Sequence, residues 1–449
     1  MADVNRDDGD HRPVPAMQAW CTVGVLQVIG ILSYLDRNVL ALMVEPIRAS
    51  LGISDFGIGL IHGVGFGVFY ALFGLPIGWL VDRVSRRWII YLGTSCWSVA
   101  AAACGLANSF QHLLAARLAV GVGEASLSPS AYSMIADLFP RWRLSLALSI
   151  FGIGSVLGSA VAFIGGGAAI AHFQTLGPQV YPLVGLLQPW QMVFIVTGAP
   201  GIVIALLMFL VPEPKRQTGK REEIAMADAV PPSERQRLWP FMRLHWRFFT
   251  CHFLGFGLLA AATYAGLAWI PTMLVRRFHT PIGEVGMLMG TVSLTTGIAG
   301  FLLSGWIVDR WFARGRTDAH QRYYAIVNVG AALVSVFVFL FAGSPILVVM
   351  GWALITLVQP FTGPSAAQLQ IITPPYLRGQ VSALYVMVFN LMGMCLGPPL
   401  VAFITDYVLQ DPAKLNVSLA ISYGGLAGLS ALAFLFGLAP SRRAIAQAG

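Results

Sequence analysis

Gly78-Trp79-Leu80-Val81-Asp82-Arg83 returns 227 positions later as Gly305-Trp306-Ile307-Val308-Asp309-Arg310. Five of the six residues are identical, and the sixth exchanges Leu for Ile. A second echo follows. Arg143 precedes Gly158 by 15 positions and Arg378 precedes Gly393 by 15, at an offset of 235. The register is kept apart from a small insertion, so the chain is built of two related halves. Repeated halves with a central site at their interface are a transporter design.

Composition agrees. Of 449 residues, 57% are apolar and 11% charged, against about 25% charged in a soluble globular protein. So few charges cannot cover the surface of a soluble protein this large. The mean hydropathy of +0.72 points the same way. Disordered, coiled-coil, collagen-like and disulfide-scaffold classes are excluded. The five cysteines lie in apolar stretches, and no CxxC or His/Cys cluster has metal-ligand spacing. They read as small buried apolar residues. No adenylate, flavin or haem motif appears, so no cofactor and no metal is expected.

No Asp, Glu, Lys or Arg occurs from Leu144 to Pro212 or from Tyr323 to Leu377. Each stretch far exceeds the roughly 20 residues of one membrane-crossing helix, so each must fold back. The turns fall around Gln174–Gln188 and at Gly343-Ser344-Pro345, where Gly and Pro stop helices. Along the whole chain this gives twelve spans, near 17–43, 56–81, 88–107, 112–137, 144–171, 190–211, 247–275, 283–308, 323–342, 345–372, 380–404 and 416–438. The expected fold is an all-α membrane protein of two pseudo-symmetric six-helix bundles, 17–211 and 247–438. A tail (1–16), a charged linker (212–246) and a second tail (439–449) complete it. Within the linker, Arg235–Trp246 fits a membrane-surface segment or a solvated one equally.

The terminal and even-numbered connections hold 22 of the 28 Lys and Arg residues, the odd-numbered ones four. The positive-inside rule then puts both termini in the cytoplasm. The net charge of +8 is thereby an orientation signal, and no nucleic-acid partner is expected. The acidic first residues are no signal peptide. Short termini and compact loops suggest a bacterial protein in the inner membrane, and a monomer is expected.

Twelve spans in two halves, with G-x-x-x-D-R between spans two and three, resemble the major facilitator superfamily over nearly the whole chain. The run Gly78…Asp82-Arg83…Arg86-Arg87 resembles its signature loop. Physically, an acid at a helix C-terminus faces the negative end of the macrodipole and needs a partner. For Asp82 the candidates are Arg143 and the N-terminus of span eleven. Gly78, Asp82, Arg83, Arg87, Arg143, Asp309 and Arg310 are thus expected to form a cytoplasmic gate. The rival reading of the repeat is a topology signal with an incidental acid.

Span one carries Tyr34-Leu35-Asp36-Arg37-Asn38, and span four carries Arg117, Gly121 and Glu124 on one helical face. A charge at a helix centre costs about 2.5–3.5 kcal/mol, against a gain of about 0.3–0.6 for a Leu or Ile. These charges must therefore face the protein interior or an aqueous cavity. At about 1.5 Å per residue, Asp36 and Arg117 fall at matching depths, roughly 9 and 7 Å from the outer end, and Glu124 at roughly 18 Å. Asp36, Arg37 and Arg117 are expected outermost, with Glu124 at the base. The cluster is either a structural ion-pair lock or a coupling site. In the second case Glu124 and Asp36 carry protons, and Arg37, Arg117, Tyr34 and Asn38 meet a charged headgroup.

Arg117-x-x-x-Gly121-x-Gly123-Glu124-Ala125-x-x-x-Pro129, with Tyr34-x-Asp36-Arg37-x-x-Leu40, resembles the Spinster-like branch of the superfamily. That resemblance implies exporters of lysolipids and sphingosine-1-phosphate, and a role for the charged residues named. The Asp-Arg pair also resembles organic-anion transporters. The C-terminal half offers only neutral polar residues, with Tyr264, Gln359, Thr362 and Asn390 as candidate cavity lining. One charged wall and one apolar wall suit an amphipathic solute. The expected function is a proton-coupled transporter of a lipid-like substrate by alternating access, with an organic-anion or multidrug transporter as alternative. A scramblase or channel, or a membrane-embedded enzyme, is the reading from another class. No HExxH, GxSxG or acidic metal cluster supports an enzyme.

Overall fold

A computed structural model describes residues 15–81, 83–139, 141–182, 184–214, 238–374 and 377–448. Among the described residues the chain is almost wholly helical. Spans one and two are Ala16–Leu42 and Asp55–Val81. Span three is Arg86–Cys104. Span four is Phe110–Glu124 followed, after one turn, by Leu127–Leu138. Span five is Arg141–Leu176 and span six Pro189–Leu210. Spans seven to twelve are Trp246–Phe278, Ile282–Ala313, Ala319–Phe341, Pro345–Ile372, Arg378–Val408 and Pro412–Gln447.

Ten of these are long and apolar enough to cross a membrane on length and composition alone. The other two are spans three and four. Span three is rich in Ser, Thr and Ala, and span four carries Arg117 and Glu124. Their neighbours, not their own hydropathy, hold them in the bundle. Span three packs on spans four and six, and span four also on span two.

Two expectations about the ends change. The twelfth helix continues to Ala448, so most of the expected tail 439–449 is its last turns. Ser441 there is fully buried, accepting a hydrogen bond from Gln368 Nε2 at 2.8 Å. Part of the linker is also helical, Leu238–Leu244. The rest, 215–237, lies outside the described residues, as do the first 14. Cys21 and Cys96 are exposed on the helical surface, not buried; Cys104 is buried as expected.

Span five packs on span eight and span eleven on span two, across the seam between the halves. Small residues allow the approach. A Cβ at Gly63 of span two would collide with the carbonyl oxygen of Met394, and one at Gly286 of span eight with that of Phe163. These contacts lie toward the end remote from the chain termini. Nearer the termini, a Cβ at Gly74, Gly78, Gly152, Gly305 or Gly379 would meet nothing within 4 Å. The halves are thus in close contact toward the far end.

Candidate functional site

Glu124 ends the first segment of span four, and its side chain is fully buried. One carboxylate oxygen, Oε2, gathers three donors from span one: Ser33 Oγ at 2.5 Å, Arg37 Nε at 2.6 Å and Arg37 Nη2 at 2.6 Å. Ser33 and Arg37 are one helical turn apart and so share a face. The guanidinium also lies over three rings, with its Cζ 5.0 Å from the Tyr34 centroid, 4.6 Å from Phe66 and 4.9 Å from Tyr70. Aromatic faces suit a cation that has left water. Tyr264, on span seven across the seam, packs into the same cluster as Phe66 and Tyr70.

Arg117 is 1% exposed and donates from Nη1 to the main-chain oxygen of Asp36 at 3.1 Å. Its guanidinium lies 5.9 Å from the Phe66 ring. Asp36 is 2% exposed, and neither carboxylate oxygen has a hydrogen-bond partner among the described residues.

The sequence thus brings Tyr34, Asp36, Arg37, Arg117 and Glu124 together, with their pairing rearranged. Arg37 does not stay at an outer level above Glu124; its long side chain reaches the carboxylate. Arg117 binds span one through a carbonyl rather than through the Asp36 carboxylate. Asn38 is taken up by tethering, donating to Tyr34 O at 2.8 Å and to Ser159 Oγ of span five at 3.2 Å. Ser33, Phe66 and Tyr70 were not singled out. The signal was present for Ser33, four residues before Arg37 in a span with few polar groups.

The other wall differs from expectation at Gln359. Its amide donates to Asn328 Oδ1 at 2.7 Å and accepts from Tyr423 Oη at 2.7 Å, at 4% exposure. It belongs to the interior of the C-terminal half, because a buried amide must satisfy both its ends. Asn390 donates to Val386 O of its own helix at 2.9 Å. Thr362 is exposed at the start of the second segment of span ten.

Of the expected gate, Asp82 lies outside the described residues. Gly78 lies in the last turn of span two, where a Cβ would meet nothing within 4 Å. Arg83 donates to Trp79 O at 3.2 Å and lies 3.8 Å from that indole. Arg87 turns into its own half, donating from Nη2 to Val211 O at 2.6 Å and from its main-chain N to Glu213 at 2.8 Å. Arg86, 1% exposed, bridges Glu213 at 3.0 Å and Asp137. This staple ties spans three and four to the segment that follows span six. Asp309 is exposed, and Arg310 lies 5.4 Å from the Trp306 ring. Arg143 has a partner of its own.

The far end holds a network that the sequence left as loop charges. Arg276, at the end of span seven, donates from Nε to Glu45 at 2.5 Å and from both Nη atoms to Asp55 at 2.7 Å each. Arg48 Nε adds an ion pair to Asp55 at 2.9 Å. Asp55 is fully buried. Beside it, Asp406 of span eleven accepts from Phe56 N at 2.6 Å. An acid there complements the positive start of span two. The Phe56 ring meets Phe403 and Tyr407 edge-on, at 6.2 and 5.4 Å. Two acids of the N-terminal half are thus held by one arginine of the other half.

A repeated twelve-helix membrane bundle, closed at one end around a buried charged centre, defines a membrane transporter. The comparisons with known proteins give the family. The model of the Major Facilitator Superfamily matches residues 26–398, and the chain belongs to that superfamily. It is 28% identical over 414 residues to an MFS-type efflux pump of Mycolicibacterium smegmatis, covering 92% of this chain and 90% of that protein. It is 28% identical over 420 residues to Protein spinster homolog 1 of Homo sapiens, covering 87% of this chain and 73% of that one. The crystal structure of a bacterial homolog to the human lysosomal transporter Spinster, inward-facing and unoccupied, superposes with a TM-score of 0.72 at 22% identity. That match covers 97% of this chain and 98% of the other.

Proposed function

We propose that the chain is a proton-coupled secondary transporter of an amphipathic, lysolipid-like or sphingolipid-like solute. The observation that carries this is the Arg37–Glu124 pair beside a buried Asp36 carboxylate with no hydrogen-bond partner among the described residues. A buried pair broken on one side leaves a charge that must find another partner. Protonation of Glu124 removes the anion from Arg37. The guanidinium then takes a substrate phosphate or carboxylate as a fork. Asp36 is the second proton carrier, and Arg117, Tyr34 and Asn38 shape the headgroup end. The opposite wall, with Tyr264, Thr362 and Asn390, receives the apolar part.

In this reading the bundles 17–211 and 247–438 rock about the site, with 212–246 as linker. The termini end is cytoplasmic, the membrane is a bacterial inner membrane, and a monomer suffices. The far-end network is then an outer latch. Gly78, Asp82, Arg83, Arg87, Arg143, Asp309 and Arg310 act when the cytoplasmic end closes. The efflux-pump relative supports a second reading, a transporter of organic anions or drugs using the same arginines.

Binding separates the two. Purified protein is titrated with a lysophospholipid, a short-chain organic acid and a cationic drug, following tryptophan fluorescence. Saturable binding of the lysophospholipid that weakens about tenfold or more in Arg37→Gln, or at least about 1.4 kcal/mol, supports the lipid reading. Saturable binding of the acid or drug alone overturns it in favour of the second.

A further inference from the structure

Spans five and six are joined by the twelve residues Gly177–Gln188, which carry no charge. They fold back as a two-stranded hairpin, Gln179–Tyr181 against Gly185–Leu187, with Val180 opposite Leu186. Side chains alternate along a strand, so the hairpin has two faces. One leans on span six: Leu187 is buried, and Tyr181 Oη lies 3.6 Å from Met192 Sδ. The other presents Val180 and Leu186, 76% and 56% exposed, with Val184 at the turn 46% exposed. Span six supplies the helix that a two-stranded hairpin needs for its stability, and the opposite apolar face is left uncovered by the described residues.

The position of the hairpin says what that layer is. Span six has 22 residues, about 33 Å of helix at about 1.5 Å per residue, which just crosses a hydrocarbon core of about 30 Å. The hairpin therefore emerges at the core boundary. Span six below it is itself uncovered at apolar residues, with Val196 and Val203 52% and 68% exposed. A second constraint sets the depth. Unpaired strand edges are not tolerated inside hydrocarbon, but find water at headgroup level. Only the interface satisfies both demands. We propose that the hairpin is a membrane-dipping finger, seated with Val180, Val184 and Leu186 in the headgroup–acyl boundary of the far-end leaflet. It stands beside the seam of spans five and eight, whichever solute the protein moves.

Photo-crosslinking tests this. p-Benzoylphenylalanine is placed at Val180 in the full chain in native membranes, with Val203 as lipid-facing control and Gln410, exposed in the connection between spans eleven and twelve, as aqueous control. The expected result is a phospholipid adduct at Val180, identified by mass, with a yield within about twofold of Val203. A second chain carries the probe at Val184 together with Val180→Asp and Leu186→Asp, and its lipid adduct is expected to fall toward the Gln410 level. An adduct to another protein or to a second copy at Val180 overturns the proposal. So does a lipid yield no higher than at Gln410.

Discussion

Glu124 and Arg37 hold each other in place, and their removal should not be symmetrical in effect. Glu124→Ala leaves a guanidinium without its anion, and losing one partner of a buried pair costs about 3–5 kcal/mol. Glu124→Gln keeps an oxygen for Ser33 and Arg37 and should unfold much closer to wild type. Thermal unfolding in detergent checks the order; equal destabilisation of the two would mean that the lost charge, and not the retained oxygen, decides the stability of the site. Arg37→Lys keeps the charge but loses the planar surface over Phe66 and Tyr70. Substrate binding is expected to weaken about tenfold, and unchanged affinity would remove Arg37 from the headgroup site. The sequence made these residues legible because a charge in a span must be explained. It did not show who pairs with whom. Helical spacing fixes Cα depth, whereas an arginine side chain spans more than a helical turn. Gln359 misled for a related reason: a neutral amide in a span fits a cavity wall and a satisfied core equally, and only its partners decide.

Among the elements, spans two and eleven, and five and eight, meet through small residues. Gly63→Ala puts a methyl against the Met394 carbonyl, so the far end must part. Thiol labelling of a cysteine placed at Ile58, buried at the far end of span two, should become faster in that variant than in wild type. An unchanged rate would show that the seam tolerates the methyl without opening. The staple at the start of span three predicts a pH effect. Partial burial pushes the Glu213 carboxyl up, but hydrogen bonds from Arg87 N, Ser85 Oγ and Arg86 outweigh it and hold it below its ordinary value. A lowered group adds stability above its unfolded value near about 4.3, and that stability is lost as the pH falls through the folded value. Glu213→Gln should therefore lower stability at neutral pH and flatten the acid side of the profile, measured by thermal unfolding. The spans themselves were legible from charge-free runs. The helical end of the chain was not, because Arg442 and Arg443 read as a soluble tail, although Ser441 beside them is buried.

At the scale of the whole molecule, Arg276 of one half holds Glu45 and Asp55 of the other, and in the proposed cycle this network is the outer latch. Arg276→Gln should release Glu45 and Asp55 and raise the population open at the far end. Distances between spin labels on spans two and eight would read the shift, and an unchanged distribution would leave the latch a static staple. The latch escaped the sequence because its members lie in three separate connections, and only folding brings them to one point. Proton coupling through Glu124 is the claim on which the functional reading depends. Its most direct test is uptake of a labelled lysophospholipid into proteoliposomes, with and without an imposed pH gradient, for wild type and Glu124→Gln. Gradient-driven uptake by wild type, lost in the variant while unfolding stays near wild type, is the expected result. Equal gradient-driven uptake by both would contradict it.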